Sequence, residues 1–320
     1  MAVYTEVTDA ALTAFLNDYD LGQVLSFKGI AGGVENTNYM LHTQEGQFIL
    51  TLYEKRVAEA DLPFFIGLMD HLAARGFPCP KPVRNRKGEA LARLADRPAA
   101  VVTFLEGLDV KQPDVALCEE AGSAMARLHQ AAEGFAIRRT NALAPRGWTA
   151  LVEAGRAGAD GVEPGLESLI TGELDAVVEA WPRDIPAGVI HADMFPDNVF
   201  FLDGKLSGVI DFYFACNDFL AYDIAVGLNA WCFDGDLNFV KKRSEAFLKG
   251  YQRHRPLSPD EHDALPVLCR GAALRFLLTR LYDWLNVPTG ALVVPHDPKA
   301  FSARLRHFRA LGDAGDLGLA

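Results

Sequence analysis

Residues 191–198 read H-A-D-M-F-P-D-N, and residues 210–212 downstream read I-D-F. Between them, two short apolar runs flank the dipeptide Asp203-Gly204. An Asp-Gly pair between apolar runs is typical of a β-hairpin with a tight turn. The sequence therefore predicts a polar loop, then a hairpin, and then a second acidic position at Asp211.

Three residues of this pattern have the chemistry that phosphoryl transfer from ATP to an alcohol requires. The reaction needs a carboxylate that orients and deprotonates the hydroxyl, and oxygen ligands for the Mg²⁺ that bridges the phosphates. The spacing H-x-D-x-x-x-x-N, hairpin, I-D-F is that of protein kinases, from which we take the roles. Asp193 is then the predicted catalytic base, in contact with the substrate hydroxyl, and Asn198 and Asp211 are the predicted magnesium ligands. The alternative is that these residues only cap turns.

The size and charge of the chain limit its function. Its 320 residues exceed the usual size of a single domain, so two lobes are expected. With 42 acidic and 31 basic residues its formal net charge is -11, which disfavours binding to nucleic acid or to an anionic membrane. No apolar run approaches the roughly 20 residues of a membrane span, so we expect a cytoplasmic protein. The oligomeric state cannot be read from the sequence.

The cysteines give no sign of a disulfide framework or a zinc site. They are five in number, widely spaced, and nowhere form a C-x-x-C pair. We interpret them as reduced thiols, most of them buried.

The first 105 residues predict an antiparallel sheet with one long helix. Thr8 is positioned to cap a short helix, and residues 24–29 have the pattern of a strand. Residues 38–42 and 48–53 have the pattern of two hairpin arms around the turn at Glu45-Gly46. The remaining predicted elements are a helix at residues 58–75 and strands at residues 89–94 and 99–104. Together they give five strands.

The periodicity of the sequence changes at residues 106–109, which read E-G-L-D. A helical pattern begins directly afterwards, from about Pro113 to Gln130, and most of the remaining chain is helical in character. We therefore predict a nucleotide-binding lobe at residues 1–105 and a helical lobe at residues 106–320 that carries the catalytic loop and the substrate site.

A second motif lies between two predicted strands, where residues 29–39 read G-I-A-G-G-V-E-N-T-N-Y. Glycines allow backbone N–H groups to approach phosphate oxygens closely, and a strand-loop-strand setting is that of a kinase-type glycine-rich loop. By itself such a loop is more often only a turn. Upstream of H-x-D-x-x-x-x-N it predicts nucleotide contacts at Gly29, Gly32, Gly33 and Asn36.

With these motifs the chain resembles the aminoglycoside phosphotransferase and choline kinase superfamily over nearly its whole length. The resemblance implies an α+β, protein-kinase-like fold with a five-stranded antiparallel N-terminal sheet and a mainly helical C-terminal lobe. It also implies ATP and Mg²⁺ as cofactors and adds Thr51, Thr103 and Leu105 as nucleotide-binding positions. Within the superfamily, residues 32–39, 48–54 and 210–218 are similar to bacterial homoserine kinases of this fold. This implies L-homoserine as substrate and a place in threonine biosynthesis.

One position departs from the superfamily, which usually has lysine or arginine where this chain has Thr51. The helix that should carry the partnering glutamate reads D-L-P-F-F-I-G-L at residues 61–68. Both halves of the usual ion pair are therefore expected to be missing, which costs less than losing one, since a lone buried charge is expensive. Lys28 and Lys55 are the alternative phosphate contacts.

A zwitterionic amino-acid substrate requires a carboxylate for its ammonium group and an arginine for its carboxylate. Asp218 and Arg275 are the predicted residues, although an ordinary salt bridge would equally explain Arg275. His129 is interpreted as a structural histidine, and Asp223 as a brace of the loop through backbone N–H groups. Choline, an aminoglycoside or methylthioribose as substrate, and a pseudokinase scaffold without activity, remain alternatives. A protein kinase is disfavoured, because the chain has no room for an activation segment after Asp211.

Overall fold

The computed structural model describes residues 5–30, 36–54, 57–287 and 295–319. The chain divides into two compact units: residues 1–106 together with 208–213, and residues 107–207 together with 214–320. The segment that carries Asp211 thus belongs to the first unit, although it lies far downstream of the predicted lobe boundary.

The described residues of the first unit form a six-stranded antiparallel sheet, with the order β1-β2-β3-β6-β4 and β5 paired to β6. Its elements in chain order are α1 (Asp9–Leu16), β1 (Val24–Gly29), β2 (Thr37–Thr43), β3 (Gly46–Leu52), α2 (Leu62–Ala74), β4 (Pro82–Val83), β5 (Ala92–Leu94) and β6 (Arg97–Thr103). The antiparallel sheet is as predicted, but the prediction of five strands omitted β4. This strand has two residues and begins with proline, so it shows no periodicity.

Local chemistry explains why these elements form. Thr8 caps α1 by accepting a hydrogen bond from the Ala11 N–H, as predicted. The β2-β3 hairpin closes with Thr43 opposite Gly46, whose φ of +134° suits glycine. Side chains alternate across β2, and its inward residues, with those of β3 and α1, form one buried apolar cluster that holds the sheet together.

The second unit is mainly helical, as predicted. Its helices are α3 (Val115–Ala131), α4 (Pro145–Val162), α5 (Leu166–Ala180), α6 (Leu220–Trp231), α7 (Lys241–Gln252), α8 (Pro259–Leu285) and α9 (Lys299–Arg309). The strands in this part of the chain are β7 (Ala187–Ile190), β8 (Val199–Leu202), β9 (Lys205–Val209) and β10 (Cys216–Phe219). Strands β8 and β9 form the predicted hairpin, and β10 pairs antiparallel with β7.

Helix α8 is the central element of the second unit and packs against α4, α5, α6 and α9. It begins with a capping box, in which Ser258 and Glu261 satisfy each other's backbone N–H groups. Most of its residues between Ala264 and Leu281 are buried, which explains its length despite Pro266. All five cysteines are buried free thiols, as predicted. None of the helices built by the described residues combines the length and the hydropathy of a membrane span.

Candidate active site

One buried carboxylate holds the loop that follows strand β7. Asp223, in α6 and inaccessible to solvent, accepts hydrogen bonds from the N–H groups of His191 and Ala192 at 2.9 and 2.8 Å. Because these bonds use both carboxylate oxygens, the backbone directly before Asp193 is fixed in one orientation. The predicted bracing of the loop by Asp223 through backbone N–H groups is confirmed.

A buried histidine completes the surroundings of Asp223. His129, in the last turn of α3, contacts Asp223 Oδ2 through Nε2 at 3.0 Å and the Tyr251 hydroxyl through Nδ1 at 2.8 Å. Burial acts to raise the pKa of Asp223, but the hydrogen bonds from His129 and the backbone outweigh burial and lower that pKa. Arg255 donates in turn to the Tyr251 hydroxyl at 3.2 Å. The ionised Asp223 is therefore the favoured form.

Asn198 fixes the other end of the loop. Its Nδ2 donates to the carbonyl oxygen of Asp193 at 2.8 Å and approaches Asp193 Oδ2 at 3.3 Å. With Nδ2 used as the donor, Oδ1 is the atom of this amide that could bind a cation. The structure thus brings the predicted base and one predicted metal ligand together.

Arg275 supports the same loop from α8. Its side chain is buried, and Nη1 donates to the carbonyl oxygen of Ala192. The guanidinium also lies over the rings of Phe214 and Phe276, at 5.2 and 4.1 Å from their centroids. Ala192 has a φ of +60°, which costs about 1 kcal/mol for a residue with a Cβ. Asp223 on its N–H and Arg275 on its carbonyl hold this strained residue from both sides.

The position of the usual phosphate-clamp lysine is neutral. Thr51 is buried, donates to Asn38 Oδ1 at 2.7 Å, and forms a hydrogen bond with Tyr213. The Tyr213 ring packs edge-on against Tyr53 and Phe65, with centroids 5.4 and 5.6 Å apart. Phe65 lies on α2, the helix that would otherwise offer the glutamate. We call these five residues the clamp cluster; aromatic packing and neutral hydrogen bonds take the place of the ion pair.

The other predicted nucleotide-binding residues lie at strand ends of the first unit. Gly29 ends β1, Thr103 ends β6, and Leu105 follows two residues later. Asn36 is buried and accepts a hydrogen bond from the Glu54 N–H at 3.3 Å. Gly32, Gly33 and Lys55 lie outside the described residues.

Asp211 has a φ of +63°, in the left-handed region. Burial raises the pKa of Tyr213 to about 12, and the nearby Asp211 carboxylate acts in the same direction. The Asp211 carboxylate and the Asn198 amide oxygen are each a ligand type that Mg²⁺ accepts, so the chemistry of each predicted ligand fits this ion. Within the part of the chain that the structure describes, His, Cys, Asp and Glu side chains form no cluster of three or more that could hold a metal alone. Mg²⁺ in kinases takes further ligands from phosphates and water.

Asp218 lies in the strand pair that leads into the loop, opposite Gly188 of β7. Its carboxylate accepts hydrogen bonds from Asn141 Nδ2 at 2.7 Å and from the Phe219 N–H at 2.8 Å. Burial raises the pKa of Asp218, although both hydrogen bonds act against this rise. Its predicted contact with a substrate ammonium group stays a prediction.

Two arginines that the sequence analysis did not single out lie near the loop. Arg280 of α8 and Arg304 of α9 lie over the ring of Phe301, at 4.5 and 4.4 Å from its centroid. Phe301 also contacts Phe195 of the loop, with ring centroids 6.3 Å apart. Arg280 is close enough to interact electrostatically with Asp193. The sequence offered one indication of these two residues, namely that each is an arginine among apolar residues of a helix.

The loop with Asp193 and Asn198 has the pattern of a class of phosphotransferases, and the comparisons with known proteins identify that class. Residues 26–257 match the model of the phosphotransferase enzyme family, and the chain belongs to this family. It is 60% identical over 319 residues to a homoserine kinase of Methylobacterium radiotolerans, with 99% of each chain covered. A homoserine kinase of Parvibaculum lavamentivorans is 56% identical, with 100% of this chain and 99% of the relative covered.

Solved structures confirm the predicted fold. An amicoumacin kinase in complex with AMP-PNP and Ca²⁺ has a TM-score of 0.68 at 18% identity, and the match covers 94% of this chain and 91% of the other. A choline kinase from Cryptosporidium parvum has a TM-score of 0.67 at 14% identity, with 94% of each chain covered. At these identities the likeness shows the fold alone.

Proposed function

We propose that this protein transfers the γ-phosphoryl group of ATP to the side-chain hydroxyl of L-homoserine, with O-phospho-L-homoserine and ADP as products. The observation that carries the proposal is 60% identity, over 99% of both chains, to a homoserine kinase. The use of ATP follows from the family. The reaction belongs to threonine biosynthesis.

Asp193 acts as the base in this proposal. It accepts the proton of the substrate hydroxyl while that oxygen bonds to the γ-phosphorus, and the bond from phosphorus to the bridging oxygen of ADP breaks. A base must be held within hydrogen-bonding distance of the proton that it takes. This role is supported by the contacts of Asp223 and Arg275 with Ala192 and of Asn198 with the Asp193 carbonyl, which hold the backbone around Asp193.

Asn198 and Asp211 would hold Mg²⁺, which supplies positive charge to the phosphate oxygens of the nucleotide. The role of the first lobe is to bind that nucleotide, with contacts from Gly29, Gly32, Gly33, Asn36, Thr51, Thr103 and Leu105. Because Thr51 has no charge, any electrostatic clamp on the phosphates comes from other groups, and Lys28 and Lys55 remain the candidates.

Asp218 is proposed to meet the ammonium group of the substrate. The role of Arg275 toward the substrate carboxylate stays a prediction, and its described hydrogen bond supports a different role, since Nη1 donates to the Ala192 carbonyl. A residue that holds the loop affects every substrate alike, whereas a residue that grips the carboxylate affects only substrates that have one.

A coupled assay of ADP release with magnesium tests the proposed function. The candidate substrates are L-homoserine, L-serine, L-threonine, choline, an aminoglycoside and methylthioribose, and the Asp193→Asn variant is the control for background ATP hydrolysis. We expect kcat/KM for L-homoserine to exceed that for choline by at least about 100-fold, since choline offers no carboxylate. Efficient phosphorylation of choline, or no turnover of L-homoserine, would contradict the proposal.

A further inference from the structure

Two partly buried arginines share one aromatic ring in the second unit. The guanidinium groups of Arg280 and Arg304 lie 4.5 and 4.4 Å from the centroid of Phe301, and Arg304 is also 5.2 Å from the centroid of Phe233. The aromatic faces pack against the cations but carry no full negative charge. The ring itself therefore gives the two cations no counter-charge, and Arg280 is near enough to act electrostatically on Arg304.

Neither arginine has an ion pair or a hydrogen bond among residues 5–30, 36–54, 57–287 and 295–319, and Arg304 Nε is buried without an acceptor. Two other arginines of the same helices form ion pairs. Arg270 on α8 binds Glu173 at 2.9 Å, and Arg306 on α9 binds Glu163 at 2.7 Å. Arg270 and Arg306 thus have carboxylate partners, whereas Arg280 and Arg304 have none within bonding distance among the residues that the structure describes.

The electrostatics describe the same situation. Burial, with the positive charge of Arg280 as the second cause, lowers the pKa of Arg304 to about 10. Burial also lowers the pKa of Arg280, against the opposing effect of Asp193, Asp197 and Asp297. Two partly desolvated like charges destabilise each other unless an anion lies between them.

The pair lies beside the catalytic loop. Phe195, two residues after Asp193, contacts both Phe276 and Phe301, with ring centroids 4.9 and 6.3 Å apart. Phe301 is the ring on which the two arginines lie, so the loop and the cations share one aromatic platform. An anion held by Arg280 and Arg304 would therefore be close to the base, as required of a charged group on a small substrate.

We propose that Arg280 and Arg304 bind the α-carboxylate of the amino-acid substrate and thereby select substrates that carry one. This inference rests on the proposed function. Two guanidinium groups offer several N–H donors in fixed planes, which suits the two oxygens of a carboxylate. Arg275 is not the carboxylate ligand in this assignment, because its guanidinium holds the Ala192 carbonyl.

The transferred phosphoryl group is the other anion that could reach this position. The two possibilities differ in what they predict. A phosphoryl contact exists with every substrate and acts on kcat, whereas a carboxylate contact exists only when the substrate has that group and acts mainly on KM. A substrate that lacks only the carboxylate therefore distinguishes a carboxylate contact from a phosphoryl contact.

The experiment compares L-homoserine with (S)-2-aminobutane-1,4-diol, in which a hydroxymethyl group replaces the carboxylate. We expect Arg280→Gln and Arg304→Gln to lower kcat/KM for L-homoserine by about 100-fold, mostly through KM, because a charged hydrogen-bonded pair loses one partner. The same variants should change kcat/KM for the diol by no more than about threefold, since the diol has no carboxylate with which either arginine could interact. Arg280→Lys and Arg304→Lys keep the positive charge but lose the planar guanidinium that can bind two oxygens at once. For L-homoserine their kcat/KM should be about tenfold higher than that of the corresponding glutamine variants.

Arg306→Gln is the matched control, since it removes an arginine of α9 that is paired with Glu163. Its kcat/KM for both substrates should equal that of the wild type. Arg304→Lys keeps the test valid if Arg304→Gln does not fold. Equal losses with both substrates would overturn the proposal in favour of a phosphoryl or structural role, and unchanged L-homoserine kinetics would overturn it outright. Absence of L-homoserine turnover in the wild type would refute the proposed function, whereas turnover with insensitive arginine variants would refute only this inference.

Discussion

The catalytic loop at residues 191–198 and the clamp cluster around Thr51 meet opposite electrostatic requirements. In the loop, buried charged groups are kept and surrounded: Asp223 accepts two backbone N–H groups and contacts His129, and Arg275 donates to Ala192. In the clamp cluster the corresponding charges are absent, and Thr51 forms neutral hydrogen bonds beside aromatic rings.

The difference shows that buried charges are found where they have partners and hold the backbone in place. A charge without a partner costs several kcal/mol in the interior, so ion pairs are kept or lost as whole units. The loop keeps its charges because they fix the backbone next to the proposed base. At Thr51 there is no lysine, and α2 carries no glutamate, so neither half of the usual ion pair is left as an unpaired charge.

The largest effect should come from Asp193→Asn, which tests the chemistry that the loop serves. An amide cannot accept the hydroxyl proton, so we expect kcat to fall by about 10³, with ATP affinity nearly unchanged. Turnover of L-homoserine and calorimetry with Mg-ATP measure the two quantities. A correctly folded variant that keeps more than about a tenth of the wild-type kcat would remove Asp193 from the role of base.

Asp211→Ala should have the second-largest effect. We expect its activity to fall by about 10² or more and its ATP binding to depend less on the metal. Titration of ATP at several Mg²⁺ concentrations, with wild type and variant compared, is the measurement. Asp203→Ala, at the exposed turn of the β8-β9 hairpin, is the matched control and should behave as wild type. Unchanged Mg-ATP affinity together with normal turnover would show that Asp211 does not bind the metal.

Asp223→Asn should lower the free energy of unfolding at pH 7 by about 3 kcal/mol, because the amide keeps one acceptor oxygen but places an NH2 donor opposite one of the two backbone N–H groups and removes the buried charge. The folded-state pKa of Asp223 lies below its ordinary value. Its contribution is therefore fully present above the unfolded pKa of about 3.9 and is lost as the pH falls through the lowered folded value.

Urea unfolding between pH 7 and about pH 2 should accordingly show a difference between wild type and Asp223→Asn that shrinks toward acid, mainly below the unfolded pKa of about 3.9. The exposed Asp236→Asn variant is the control and should match wild type across the range. A difference that stays constant with pH would mean that Asp223 contributes through shape and not through its charge.

Much of the fold could be predicted from local patterns. The β2-β3 hairpin followed from Glu45-Gly46 between apolar runs, and α1 from its Thr8 cap. Two short strands could not be predicted. Strand β4 (Pro82–Val83) has too few residues for a pattern, and β10 (Cys216–Phe219) contains polar residues and forms by pairing with β7.

The candidate site divides in the same way. Spacing alone identified Asp193 and Asn198, whose side-chain contact spans five residues. The partner of Arg275 lies 83 residues away in the chain, at Ala192, and no local pattern indicates such a contact. The pairing of Arg280 with Arg304 on one ring likewise depends on how α8 packs against α9.

The smallest effects are expected at Thr51, where two substitutions separate charge from packing. Thr51→Val removes the hydrogen bonds to Asn38 and Tyr213 and should lower the free energy of unfolding by about 1 kcal/mol. Thr51→Lys introduces the residue type that is usual in the superfamily, but helix α2 has no glutamate with which this lysine could pair. We expect a loss of about 3 kcal/mol and no gain in kcat/KM for ATP, because the added charge has no partner. Urea unfolding and ATP kinetics of both variants give the answer, and a Thr51→Lys enzyme that binds ATP more tightly at unchanged stability would show that the clamp cluster is still built for a cation.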